Sequence, residues 1–175
     1  MATRNGSGPR WSGCRDPERV KDEIGGSTVN STIVPYEDKY HGKLVEIWDR
    51  AVRETHSFLS EDDLQFYRSV VQGGALKELE LWVEVDERNE PTAFIGLDGT
   101  KIEALFVDPA RHGKGIGSRL VLHAEKIKGP TLQVDVNEQN GGAYAFYSRL
   151  GFVQIGRSER DGAGRPYPLL HLSKG

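Results

Sequence analysis

Three glycines at alternate positions immediately precede a helical pattern, and this spacing constrains the fold more than any other feature of the 175-residue chain. The loop reads His112-Gly113-Lys114-Gly115-Ile116-Gly117-Ser118, and apolar residues then recur at helical spacing as far as Ile127. A glycine inside a helix costs up to about 1 kcal/mol relative to alanine, so two in the first turn indicate a purpose. Backbone N–H groups of such a loop converge beside the positive end of the helix dipole. The loop therefore predicts a diphosphate site. Basic side chains that could add contacts to phosphate oxygens are Arg111, His112, Lys114 and Arg119.

Other phosphate-binding motifs use similar glycines, and the spacing separates them. A P-loop requires Gly-Lys-Ser/Thr, whereas Lys114 is followed here by glycine, which excludes that motif. The dinucleotide motif G-x-G-x-x-G is closer, because Glu138 stands near the distance of its ribose-binding acid. The glycines nevertheless read G-x-G-x-G, and they do not follow a strand directly. A dinucleotide-binding oxidoreductase stays open as an alternative.

Apolar periodicity predicts the order β-α-α-β-β-β-α-β-α-β-β along the chain. We expect seven strands, at 33–34, 81–85, 92–97, 101–107, 132–136, 152–156 and 167–172. We expect four helices, which begin after Pro35 or run from Ser60 to about Leu79, from Ile116 to Ile127 and from Asn140 to Gly151. This order is that of a mixed α/β (α+β) domain. Only its central strands can be parallel neighbours, joined by a crossover helix.

Composition limits the classes of protein that the chain can represent. Residues 1–31 are rich in Gly, Ser, Asn and charges, and we interpret them as a flexible N-terminal extension before a domain at 32–175. The formal net charge of −3 argues against nucleic-acid binding, and the apolar runs are too short for a membrane helix. The lone Cys14 excludes an internal disulfide, and no metal site is expected. Without a secretory signal, we expect a cytoplasmic protein.

Two motifs together carry a resemblance to a known family. The loop fits [Gln/Arg]-x-x-Gly-x-[Gly/Ala], except that His112 occupies the first position, and the chain continues as Asn140-x-x-Ala143-x-x-Phe146-Tyr147-x-x-x-Gly151-Phe152. This stretch, from about residue 101 to 152, resembles the GNAT superfamily of acyl-CoA-dependent N-acyltransferases. Further segments at 55–59, 137–140 and 165–170 are similar to small bacterial N-acetyltransferases of the YjaB type, which extends the likeness over nearly all of 32–174.

The resemblance implies a fold and a donor site. The fold would be a mixed, mostly antiparallel central sheet with flanking helices, in which one parallel strand pair splays apart to admit the pantetheine arm of acetyl-CoA. The backbone of Phe106 and Val107 would bind that arm, and the diphosphate would lie on residues 112–118. Asn140 matches an asparagine that contacts the cofactor, although it equally fits a helix N-cap. Tyr147 matches a tyrosine that protonates the departing thiolate.

Loss of a proton from the acceptor ammonium requires a base. Glu103 is our leading candidate, because it lies within the apolar run 102–107. Burial of a charged carboxylate there is energetically unfavourable unless the carboxylate pairs with a cation or reaches a water-filled pocket. Pairing with Lys101 or Arg119 on the sheet surface is the competing interpretation. His56, in a connection between helices, is the second candidate base and a possible substrate contact. Tyr167, expected on the last strand, would line the acceptor pocket.

We therefore predict an acetyl-CoA-dependent N-acetyltransferase that acts on a primary amine of a small molecule, peptide or protein by direct attack. A non-catalytic acyl-CoA-binding sensor is an alternative from another class. Dimers are common in the family, so a homodimer is expected.

Overall fold

From residue 32 onward, the strands and helices form close to where the apolar periodicities predict them, whereas β1 was not predicted. The computed structural model describes residues 31–175 together with the backbone of Trp11 and Ser12. The elements are β1 (Trp11–Ser12), β2 (Thr32–Pro35), α1 (His41–Thr55), α2 (Glu61–Gln72), β3 (Glu80–Val85), β4 (Pro91–Asp98), β5 (Lys101–Val107), α3 (Ile116–Lys128), β6 (Leu132–Asn137), α4 (Gly141–Arg149), β7 (Val153–Ser158) and β8 (Leu169–Lys174). None of the helices described is both long and apolar enough to cross a membrane.

The main sheet has the order β2-β3-β4-β5-β6-β8-β7, and β1 is attached to β5. Neighbouring strands are antiparallel except for β5 with β6 and β1 with β5, which confirms the predicted fold class. Alternating side chains supply an apolar cluster on each face. One cluster includes residues of α3 and α4, and the other includes residues of α1 and α2. Two layers of helices therefore enclose the sheet.

Three predicted boundaries are wrong. The second helix ends at Gln72 instead of near Leu79, because Gly73 and Gly74 follow it and Gly74 takes a φ of 101°. A short 3₁₀ turn, Ala75–Glu78, fills the remainder. The last two strands begin at Val153 and Leu169, later than expected. Tyr167 consequently lies in the loop before β8 and not on the strand.

The parallel strands β5 and β6 pair over a short length only. Their register joins Lys101 to Gln133 and Ile102 to Val134, and no pairing with β6 is recorded for residues 103–107. The backbone of β1 occupies part of this opening, where Trp11 and Ser12 pair in parallel with Ala104 and Leu105. Of the predicted flexible extension, the structure describes only β1 and residue 31. The other residues, Cys14 among them, lie outside the described part.

A β-bulge in β5 coincides with the opening. Gly96 pairs with Ala104 while Leu97 pairs with Ile102, so Glu103 is an extra residue in its strand. The extra residue interrupts the alternation of faces. Ile102 packs in the cluster under α3, whereas Ala104 packs in the opposite cluster although it is two positions away. The bulge therefore redirects the strand where it leaves β6.

Candidate active site

Two of the three glycines in the loop adopt a backbone conformation that favours glycine. Gly113 and Gly115 have φ values of 77° and 72°, in the left-handed region that favours glycine. Gly115 is the N-cap of α3 and has no side chain to cap it, and the Arg119 N–H donates to the Gly115 carbonyl (3.1 Å). In helix geometry the N–H groups of residues 116–118 then lack an intrahelical acceptor. The loop offers these donors to an anion.

Two of the four basic side chains at the loop already bind carboxylates. Arg119 donates to Glu84 Oε1 (2.5 Å) and to the Lys114 carbonyl oxygen (2.9 Å), and Arg111 donates to Asp86 (3.1 Å). The Lys114 side chain is exposed. The basic residues left to meet a phosphate are therefore Lys114 and His112, which is partly exposed.

The edge of β5 supplies the next part of the site. Phe106 and Val107 are buried, with the Phe106 ring 5.6 Å from the Phe94 ring on one face and Val107 in the α3 cluster on the other. Their side chains thus fix the strand from both faces of the sheet. Because no pairing to β6 is recorded at these positions, their backbone lies at the opening between the strands.

Asn140 serves as a cap and retains a free donor group. Its Oδ1 accepts from the Ala143 N–H (3.1 Å) at the start of α4. The buried Nδ2 has no hydrogen-bond partner among the described residues. A buried amide without a partner is costly, so this nitrogen indicates a ligand. The two interpretations of Asn140 are therefore compatible.

These features fit acetyl-CoA. Parallel strands bring their carboxyl ends to one edge of the sheet, so the loop after β5 and Asn140 after β6 lie at the same end of the opening. Loop N–H groups suit the diphosphate, and the β5 edge and the Asn140 amide suit the polar pantetheine arm. No cluster of three or more His, Cys, Asp or Glu side chains that could hold a metal ion occurs within the described part of the chain.

Tyr147 is fully buried on α4. Its ring packs edge-on against Phe146 (5.0 Å between centroids) and against Phe152 (5.2 Å). It shares one apolar cluster with Val107 and Ile116, residues that flank the loop. Packing of the two neighbouring rings therefore restrains the Tyr147 ring between α4 and the start of β7.

Glu103 belongs to an ionic cluster on the sheet. Lys101 Nζ lies 3.8 Å from Glu103 Oε1 and 2.7 Å from Asp135 Oδ2 on β6. His171 Nδ1 lies 2.6 Å from the other Asp135 oxygen, and Ser158 Oγ lies 2.6 Å from His171 Nε2. The pairing of Glu103 with Lys101 is thus observed, while Arg119 binds a different carboxylate. The Glu103 side chain keeps an exposed fraction of 15%.

His56 and Tyr167 come together although they are distant in sequence. The Phe58 ring lies between them, 5.3 Å from the His56 ring and 5.9 Å from the Tyr167 ring. His56 Nδ1 is 2.7 Å from Thr55 Oγ1, and the Tyr167 hydroxyl donates to Asp63 on α2. Burial lowers the pKa of His56 from 6.5 to about 4. Burial also raises the pKa of Tyr167.

Sequence reasoning missed Asp135, His171 and Asp63 as neighbours of the candidate residues. One signal for Asp135 was present, because Leu132, Val134 and Val136 alternate with polar residues. That alternation places Asp135 on the opposite face, but the identity of its partners depends on the pairing of β6 with β8.

Comparisons with known proteins identify the family. Residues 77–154 match the model of the acetyltransferase (GNAT) domain. The chain is 46% identical to the peptidyl-lysine N-acetyltransferases YjaB of Escherichia coli (131 residues, 75% of this chain and 88% of the relative) and of Salmonella typhimurium (133 residues, 74% and 88%).

Solved structures agree. The solution structure of apo-form YjaB from Escherichia coli matches with a TM-score of 0.77 at 41% identity, covering 82% of this chain and 97% of that one. The PaiA N-acetyltransferase from Thermoplasma acidophilum, solved with coenzyme A, shares the fold with a TM-score of 0.65 at 20% identity (83% and 98% covered). The chain therefore belongs to the GNAT family and is an acetyl-CoA-dependent N-acetyltransferase.

Proposed function

We propose that the acceptor is the side-chain amine of a lysine in a peptide or protein. The relatives that are 46% identical are named peptidyl-lysine N-acetyltransferases. The observation in this chain that carries the proposal is the opening between β5 and β6, with the Glu103 carboxylate at the bulge where the strands separate. A primary amine that enters there meets a carboxylate fixed by Lys101.

The donor side consists of the loop at 112–118, the backbone of Phe106 and Val107, and the Asn140 amide. Bound acetyl-CoA supplies an acetyl group activated as a thioester. The loop N–H groups bind the diphosphate, and the β5 edge aligns the arm so that the acetyl group reaches Glu103. A backbone N–H of β5 donates to the thioester carbonyl oxygen, which gains negative charge during attack.

Two side chains move protons. Glu103 accepts a proton from the acceptor ammonium, directly or through a water, so that the nitrogen lone pair forms the new bond to the acetyl carbon. Tyr147 donates its phenolic proton to the sulfur as the carbon–sulfur bond breaks. His56 is a poor base in this environment, because its pKa of about 4 makes it a weak proton acceptor. We assign His56 and Tyr167 to the wall of the acceptor pocket.

Thiol release from acetyl-CoA tests this proposal. The acceptors are an N-terminally blocked peptide with one lysine, the same peptide with norleucine in its place, and a panel of small amines. Of the two peptides, we expect only the lysine peptide to be acetylated and to cause thiol release. Acetylation of small amines but not of the lysine peptide would overturn the acceptor assignment, and binding of acetyl-CoA without turnover would indicate a sensor.

Substitution of the base is the second test. Glu103→Gln should lower kcat by about 100-fold or more, because the amide cannot accept the proton. Asp98→Asn, at the exposed end of the neighbouring strand β4, is the matched control and should leave kcat unchanged. Wild-type turnover in Glu103→Gln would remove Glu103 as the base.

The homodimer and the cytoplasmic location are further proposals, and both are supported by the family resemblance. Light scattering on the purified full chain tests the first, and fractionation of cells tests the second.

A further inference from the structure

Glu84 is a buried carboxylate near the loop that the proposed chemistry does not use. It lies on β3 with an exposed fraction of 0%, on the sheet face covered by α3. Two residues earlier, Trp82 packs edge-on against His123 of α3, with 4.4 Å between the ring centroids. Burial of a carboxylate is unfavourable unless the charge is compensated, so a partner is required.

Arg119 of α3 is that partner, and it also binds the loop. Its guanidinium donates to Glu84 Oε1 (2.5 Å), to the Lys114 carbonyl oxygen (2.9 Å) and to Ser31 Oγ (3.3 Å). A planar guanidinium with five donors can make these contacts in one fixed orientation. Glu84 therefore holds Arg119, and Arg119 holds the loop.

The contact with Lys114 determines which way the next peptide points. A trans peptide keeps its carbonyl oxygen and the following N–H on opposite sides of the chain. Because Arg119 binds the Lys114 oxygen, the Gly115 N–H points away from Arg119. No cis peptide occurs among the described residues. The contact thus fixes the orientation of the peptide between Lys114 and Gly115, with the Gly115 N–H facing away from the Arg119 side chain.

We propose that Glu84 is a positioning residue for the diphosphate-binding loop, acting through Arg119 on the Lys114 carbonyl. The proposal rests on the proposed function in one respect, the assignment of the loop to the diphosphate of acetyl-CoA. In this arrangement Arg119 contributes by fixing backbone N–H groups, and its own charge is neutralised by Glu84.

Two acetyl donors test the proposal, acetyl-CoA and S-acetylpantetheine, which lacks the diphosphate. In Glu84→Gln and in Arg119→Lys we expect the KM for acetyl-CoA to rise about tenfold, because a charge-assisted hydrogen bond that orders the loop is weakened. The kcat at saturation and the KM for S-acetylpantetheine should stay unchanged. Arg119→Lys keeps the positive charge, but lysine lacks the planar guanidinium that binds Glu84 and the Lys114 carbonyl oxygen at the same time.

The matched control is Glu80→Gln, which weakens the ion pair between Glu80 and Lys128 at the other end of the same strand and helix. It should change neither KM. An unchanged KM for acetyl-CoA in both Glu84→Gln and Arg119→Lys would overturn the positioning role, as would an equal rise for both donors. Equal KM values for the two donors in the wild type would overturn the diphosphate assignment as well.

A second inference is carried independently by β1. The backbone of Trp11–Ser12 pairs in parallel with Ala104–Leu105 and lies against β6, within the opening between the strands. The same β5 edge is the one assigned to the pantetheine arm. An arm that binds Phe106 and Val107 must pass Ala104 and Leu105 to bring the acetyl group to Glu103, and β1 pairs with those two residues. We propose that the β1 segment of this chain competes with acetyl-CoA for the edge of β5.

Proline substitution tests the competition in the full chain. Proline lacks an N–H and fixes φ near −65°, so Trp11→Pro/Ser12→Pro removes the pairing of β1. We expect the Kd for acetyl-CoA to fall about fivefold, because less of the protein is held in the blocked state. Lys21→Pro, outside β1, should leave the Kd unchanged. An unchanged or higher Kd in the double variant would overturn the proposal.

Discussion

At the scale of single residues, burial decides the chemistry of His56. The side chain has an exposed fraction of 3% and caps the end of α1. Its position in a connection between helices suggested a base, yet desolvation favours the neutral ring and lowers the pKa to about 4. The same shift makes His56 a source of pH-dependent stability.

We predict that His56 makes the protein less stable in mild acid. The pKa is lower in the folded state than the unfolded value of 6.5, so the stabilisation is complete above pH 6.5 and is lost as the pH falls towards 4. Between pH 6.5 and pH 5 the loss from this group is about 2 kcal/mol. Urea unfolding at both pH values measures it.

The comparison that isolates this effect uses two variants. His56→Gln should show a smaller loss between pH 6.5 and pH 5 than the wild type. Phe58→Leu removes the neighbouring ring but keeps the titrating group, so it should retain the wild-type pH dependence at a lower overall stability. Equal pH dependence in His56→Gln and the wild type would contradict the prediction.

At the scale of elements, the junction between the loop and α3 is the most demanding local structure. Two left-handed glycines precede a helix whose first N–H groups have no capping side chain. A β-carbon at Gly115 would have ordinary contact with Arg119 Nη1 at 3.8 Å, so space is available there. The requirement for glycine comes from its φ of 72°, not from crowding.

We predict that Gly115→Ala weakens acetyl-CoA binding through the backbone. The left-handed conformation costs about 1–2 kcal/mol for alanine, so the loop should relax away from the shape that presents its N–H groups. Calorimetric titration should show a Kd for acetyl-CoA at least tenfold higher.

Gly99 provides the matched control for this substitution. It has a φ of 58°, lies in the turn between β4 and β5, and also has open space for a β-carbon. Gly99→Ala should lose a similar amount of stability and keep the wild-type Kd. If Gly115→Ala also kept the wild-type Kd, the loop would not be the diphosphate site.

At the scale of the whole molecule, the sheet is divided functionally where β5 leaves β6. The strands from β2 to β5 are antiparallel, as are β6, β8 and β7. A two-residue parallel pairing joins β5 directly to β6, and α3 and α4 each begin beyond the carboxyl end of one of these strands. The donor groups and the ionic cluster of Glu103 therefore gather at one opening.

The sequence by itself determined the order of elements from β2 onward, the glycine loop, the N-cap at Asn140 and the fold class, whereas it did not indicate β1. Each of these depends on local periodicity or on backbone conformations that few residue types allow. The sequence did not indicate where α2 ends, because apolar residues continue past Gly73 and Gly74 at helical spacing.

Only the tertiary structure decided which charges meet. Arg119 binds Glu84, Lys101 lies between Glu103 and Asp135, and Tyr167 reaches Asp63, all through pairs brought together by strand pairing and helix packing. The bulge at Glu103 depends likewise on the register between β4 and β5. Register and packing are properties of the whole sheet, so a pattern read along one strand cannot contain them.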